Sequence, residues 1–186
     1  FPLEAVREAL LNAVTHRDYS DPGDILFRHT PREVAITSPG GFLAGITPQN
    51  ILRAEPATRN RALAEAFQKL RLVERAGIGR RRIFIPMLSY GKRVPAYETD
   101  GARVVLRLFD GGFDERMARL IAKWRGDGRE IDLDELLALS FLRQNAFLDS
   151  TSASELLQLP REDARAVLER LSQPRTGILF FRIGVL

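Results

Sequence analysis

Apolar and polar positions alternate along this chain with two different periods. Leu3, Val6, Leu10 and Val14 recur at helical spacing with Ala5, Ala9 and Ala13 beside them, which predicts an opening amphipathic helix that buries its aliphatic side. Pro2 suits the first turn of that helix. DILFRHT and EVAITS are short β-type runs separated by Thr30-Pro31-Arg32, the pattern of a hairpin. SPGGFLAGITPQN, rich in Gly and Pro, predicts a loop. From Asn60 to Val73 the helical period returns, with Asn60 as N-cap and Leu63, Phe67 and Leu70 on one face. ERAGIGRRR breaks the pattern before a helix from Ile83 to Tyr90 that contains Pro86, and PAYETDGARVVLRLFDGG reads as two strands around the tight turn Asp100-Gly101.

After Asp110-Gly111-Gly112 the pattern becomes helical. Glu115–Trp124, Asp132–Ala146, Ser152–Leu159 and Arg161–Leu171 read as helices, with Ser152 to Glu155 as one helix start and Pro160 opening the last. A β-type pair around ILFFRIGVL closes the chain. The glycine pair therefore marks a boundary between residues 1–112, an α+β domain with helices layered on a mixed or antiparallel sheet, and residues 113–186, whose order of elements is that of an elaborated winged helix.

Composition narrows the chemistry. With 186 residues and 45% hydrophobic content the chain can bury a core. No apolar run approaches the roughly 20 residues that span a bilayer, and the start lacks the regions of a signal peptide, so the expected location is cytoplasmic. Zero cysteines exclude disulfides, thiol catalysis and cysteine-ligated zinc, and two histidines argue against a dedicated metal cluster. Phe rather than Met at the first position reads as part of a longer protein. The net charge of +4 is uneven: residues 1–112 hold 17 Lys+Arg against 12 Asp+Glu, and residues 113–186 hold 11 against 12. A pI near 9.9 permits nucleic-acid binding without establishing it.

Three features carry candidate chemistry. Glu8, Asn12 and His16 lie four apart, so an acid, an amide and an imidazole share one helical stripe next to the alanine row. An Asn can ligate magnesium and a neighbouring carboxylate can activate water, although polar residues that merely face solvent give the same pattern. Gly40-Gly41 and Gly77-Ile78-Gly79 permit close backbone approach, and the second precedes a helix whose N-terminus could receive phosphate with Arg80, Arg81 or Arg82. An ordinary helix-ending turn explains the same glycines. In the last helix Arg161, Arg165 and Arg170, with Arg175 and Arg182 flanking the wing, are placed to meet DNA. Glu162, Asp163 and Glu169 on the same helix oppose that, and leave dimerisation or packing on the first domain as the rival use.

Taken in order, FPLEAVREALLNAVTHRDYS, EVAITSPGGFLAGITPQN and RNRALAEAFQKLRLVERAGIGRRRI resemble the GHKL-like ATP-binding family of bacterial and archaeal transcriptional regulators, often labelled RecG-helicase C-terminal-like. The resemblance covers about residues 1–110 and implies a two-layer α/β sandwich related to the ATPase domains of gyrase, histidine kinases and mismatch-repair proteins. Members commonly carry an upstream Schlafen/AlbA-type DNA-binding domain and a downstream winged helix. By this resemblance Asn12 is the magnesium ligand, Glu8 the water-activating base, SPGG the first glycine box with Gly40 and Gly41, and Gly77 and Gly79 the later box near the phosphates. Ser38 stands where relatives place the aspartate that pairs with adenine, and a serine cannot accept from the adenine amino group with a carboxylate's strength. The segment from Phe42 to Thr58 is short for a full lid.

The implied function is a transcriptional regulator, in which ATP and magnesium bias a DNA-binding homo-oligomer. A slow magnesium-dependent ATPase and a non-nucleotide-binding oligomerisation scaffold are the alternatives. The helicase part of the family label finds no support here, since the chain has no phosphate-loop GKS/T motif. No nucleophile motif accompanies His16, and with Arg17 and Asp18 it reads as a polar helix end.

Overall fold

The computed structural model describes residues 1–72, 79–111 and 114–172. The chain forms two compact units, Phe1–Ile131 and Asp132–Leu186. Helix α4 (Glu115–Gly126) lies within the first of these units. Arg125 Nη2 on α4 donates to Ser89 Oγ at 3.1 Å.

Helix α1 (Leu3–His16) opens the first unit, followed by the hairpin β1 (Leu26–His29) and β2 (Glu33–Pro39). Then come α2 (Arg61–Lys69), α3 (Gly79–Ser89) and the hairpin β3 (Ala96–Thr99) and β4 (Arg103–Phe109). The four strands make one antiparallel sheet in the order β1-β2-β4-β3. Both hairpin turns use the residues the sequence offers. Thr30 Oγ1 accepts from Arg32 N and Glu33 N, while Asp100 Oδ1 accepts from Ala102 N and Arg103 N beside Gly101 at φ +87°.

Helices α1 and α3 pack together, and α1 also packs on β2. The core is built from Ile36 and Leu108 of the sheet and Ile83, Met87 and Leu88 of α3, each burial worth about 1.5–3 kcal/mol. Pro86 is buried within α3.

The buried face of α1 is not the one its period suggested. Ala5, Ala9 and Ala13 are buried together with Glu8, while Leu3 is 82% exposed and Val6, Leu10 and Val14 are only half-buried. A row of methyl groups lets neighbouring backbone come closer than a leucine stripe would, so close packing selects the small face. Asn60 also departs from expectation. It stands at the N-cap position of α2 but its side chain makes no cap bond there. Its Nδ2 instead donates to the carbonyls of Thr15 (2.9 Å) and Arg17 (2.7 Å) at the end of α1. No residue of α2 is buried, and Leu70 is 67% exposed.

The second unit contains α5 (Leu133–Leu142), α6 (Ser150–Leu157) and α7 (Arg161–Leu171) around Leu136, Leu137, Leu157 and Leu171. Asp132 caps α5, accepting from Glu135 N at 2.8 Å, and α5 ends before Ala146. Asp149, not Ser152, caps α6: its Oδ1 accepts from Ser152 N at 2.7 Å. Only residues 158–160 separate α6 from α7, with Gln158 left-handed at φ 53° and Pro160 leading into α7. The expected terminal β pair lies outside the described residues. Among the described residues no helix is long and apolar enough to cross a membrane.

Candidate functional site

Glu8, Asn12 and His16 all line one cavity of about 210 Å³ in the first unit. Their spacing of four puts them on one face of α1, and the buried alanines between them let that face sit close to the sheet. The floor comes from alternate strand residues. Ile36 and Ser38 on β2 are opposite Leu106 and Val104 on β4, and Leu106 is in turn opposite Tyr97 on β3, so the period of two brings all five to the same side.

Ser38 is buried, and its hydroxyl donates to the carbonyl of Ala13 at 3.0 Å. It therefore pins β2 to α1, and only its lone pairs remain to face a ligand. Gly40, at φ +94°, could not carry a side chain: a Cβ would stand 2.8 Å from Asp18 Cβ and 3.3 Å from Arg59 Cζ. At Gly41 a Cβ would come 2.2 Å from the Gly101 carbonyl oxygen. Gly79 begins α3 against the stripe, where a Cβ would meet Glu8 Oε1 at 2.6 Å and the Asn12 amide at 3.3 Å. Gly77, the other member of that expected glycine box, lies outside the described residues.

The segment 42–58 contributes part of the cavity lining, and side chains from elsewhere hold it. Arg80, the arginine expected to help receive phosphate, lines the cavity and contacts this segment. Its guanidinium donates to the Ile51 carbonyl and, at 2.6 Å, to that of Ala54. Arg59 fastens the other end, with Nε donating to the His16 carbonyl at 3.0 Å and Nη2 to that of Gly41 at 2.7 Å. Together Arg59 and Asn60 satisfy the carbonyls of Thr15, His16 and Arg17, groups that a helix end leaves without internal partners. Arg17 holds the next loop, donating to Asp21 and Gly23 carbonyls at 2.8 and 2.5 Å.

The electrostatics favour neutral groups deep in the cavity. Burial, and then the Arg59 charge, lower the pKa of His16, so its imidazole is neutral at pH 7. That imidazole has no hydrogen-bond partner among the described residues. Burial holds the Tyr97 phenol well above its ordinary pKa and lowers that of Arg80.

Three positions around the cavity carry no site assignment from the sequence: Arg59, Asn60 beyond its expected place as an N-cap, and Tyr97 within a predicted strand. His16 was on the stripe but was set aside as a helix end. The described arginines among those assigned to DNA have partners within their own unit. Arg161 Nε donates to Ser150 Oγ at 3.0 Å, Arg165 pairs with Glu169 at 3.0 Å and Arg170 with Asp132 at 2.8 Å, while Arg182 lies outside the described residues. Among the described residues no group of three or more His, Cys, Asp or Glu could hold a metal ion by protein ligands alone.

No curated protein matches the chain. Among solved structures it is similar to the DIP2311 protein from Corynebacterium diphtheriae, with 33% sequence identity and a TM-score of 0.77 over 93% of this chain. The chain spans 37% of the length of that protein. Residues 29–108 match the family model described as "Putative ATP-dependent DNA helicase recG C-terminal". That match supports an ATPase-like, RecG C-terminal-like domain in the first unit, and its matched span begins after α1 and ends within β4.

Proposed function

We propose that the first unit binds a nucleoside triphosphate with magnesium at the α1 cavity, in a GHKL-like sandwich, and that the second unit is a winged helix through which a transcriptional regulator meets DNA. The observation that carries the nucleotide reading is the alignment of Glu8, Asn12 and His16 along the cavity with Gly79 against the first two. A Cβ at Gly79 would stand 2.6 Å from Glu8 Oε1 and 3.3 Å from the Asn12 amide, so the glycine lets the start of α3 come close to both side chains. Magnesium would be held by the Asn12 amide oxygen, with water and phosphate oxygens completing its shell, and would neutralise phosphate charge. In a slow hydrolysis Glu8 would take a proton from water. Toward the base, the neutral His16 imidazole and the lone pairs of Ser38 are the polar groups offered.

The cavity is smaller than the roughly 300–1,000 Å³ of typical small-molecule sites, so a complete nucleotide extends past its enclosed part. Calorimetric titration of Mg–ATP into the chain, with Asn12→Ala as the control, tests the reading. Binding lost in the variant supports it, and no binding by well-folded wild type overturns it. Glu8→Ala should abolish any hydrolysis while sparing binding.

For the second unit, α6, its three-residue turn and α7 have the layout of a helix-turn-helix. The ion pairs of Arg165 and Arg170 favour a second reading, in which this unit joins copies of the chain. Binding to duplex DNA that weakens steeply with salt supports the first reading, and an oligomer that persists in high salt without DNA affinity supports the second.

A further inference from the structure

Two hydroxyls stand on the otherwise apolar strand floor of the cavity. That of Ser38 already gives its proton to the Ala13 carbonyl. That of Tyr97 neither donates to nor accepts from any described residue. The Tyr97 ring is fixed in place, stacked on Phe84 of α3 with centroids 6.4 Å apart and meeting Phe42 edge-on at 5.9 Å. Such packing leaves the ring little freedom to turn its hydroxyl toward another partner. Tyr97 is half-buried and lines the cavity, so its hydroxyl is open to a molecule bound there.

The surroundings indicate what the partner is. The charged groups that act on Tyr97 are the Arg80 guanidinium and the Glu8 carboxylate. Glu8 faces Gly79, the Arg80 guanidinium lies on the Ile51 and Ala54 carbonyls, and both residues line the same cavity as Tyr97. Burial keeps the phenol protonated at neutral pH, so toward a ligand it acts as a donor.

We propose that Tyr97 is a ligand-contacting residue whose hydroxyl donates a hydrogen bond to a phosphate oxygen of the bound nucleotide. The inference rests on the nucleotide reading above and adds the sheet side of the cavity to a site so far built from α1 and the glycines.

Tyr97→Phe removes the hydroxyl and keeps both ring contacts, so the variant is expected to fold. Calorimetry should show Mg–ATP binding weakened about tenfold, the loss expected for one hydrogen bond to a charged acceptor, with adenosine affinity unchanged. In wild-type protein labelled with 3-fluorotyrosine, the resonance absent from Tyr97→Phe should be the one that moves on adding Mg–ATP. Equal Mg–ATP affinity in the two proteins, an equal loss for adenosine, or an unmoved Tyr97 resonance would overturn the inference and leave the nucleotide site standing. Wild type that binds no Mg–ATP would overturn the nucleotide reading and this inference with it.

Discussion

Arg17, Arg59 and Arg80 in the first unit donate to main-chain carbonyls of loops and of a helix end, whereas Arg165 and Arg170 in the second pair with carboxylates at its surface. The side chain is the same and its effect differs. A guanidinium presents several donors in a fixed fork, and when half-buried among carbonyls it fixes the course of a segment that no ladder of backbone bonds holds. At an exposed helix surface the pair competes with water and salt and is worth little. The roof of the cavity therefore depends on a few distant side chains, while the second unit depends on its leucine core.

The strongest test of that contrast acts on backbone approach. Gly41→Ala would force a Cβ against the Gly101 carbonyl oxygen, and should destabilise the first unit by about 3 kcal/mol or more in urea denaturation. A change below about 1 kcal/mol would show that the two loops are free to separate. Next in size is Asn60→Ala, which strips the donor from the Thr15 and Arg17 carbonyls and should cost about 2 kcal/mol by the same measurement. An unchanged midpoint would mean that water replaces the clamp without loss.

The pH response comes third. The folded state depresses the His16 pKa below the ordinary imidazole value of 6.5, so from that pH downward the unfolded chain takes up a proton the folded one resists. The His16 contribution to stability is thus present above about pH 6.5 and lost as pH falls through the folded pKa. Denaturation midpoints at pH 7.5 and pH 5 should differ less in His16→Gln than in wild type. The smallest effect belongs to the second unit: Arg165→Ala removes an exposed pair and should change stability by no more than about 0.5 kcal/mol. A larger loss would place that arginine in the structural framework and weaken its candidacy for DNA.

Much of this was legible in the residues. Hydrophobic period, the Asp100-Gly101 turn and the breaks at glycine and proline located every strand of the sheet to within a few residues, because those signals are local. The Glu8–Asn12–His16 stripe was also legible, since helical spacing alone puts those three side chains on one face. Helix starts were read less well. Several polar residues near α6 can serve as a cap, and packing decided for Asp149.

The sequence by itself thus determined the order of elements, the polar stripe of α1 and the glycines at which chain segments can touch. Tertiary structure alone decided which face of α1 is buried, because small side chains gain by close approach only once a partner surface exists. It also decided what Asn60, Arg59 and Arg80 do. Their donors reach carbonyls 18 to 45 residues away in the chain, and no local pattern records such a partner. Tyr97 belongs to the same class: the register of β3 on β4 brings its hydroxyl to the cavity, and pairing across a sheet is set by the fold as a whole.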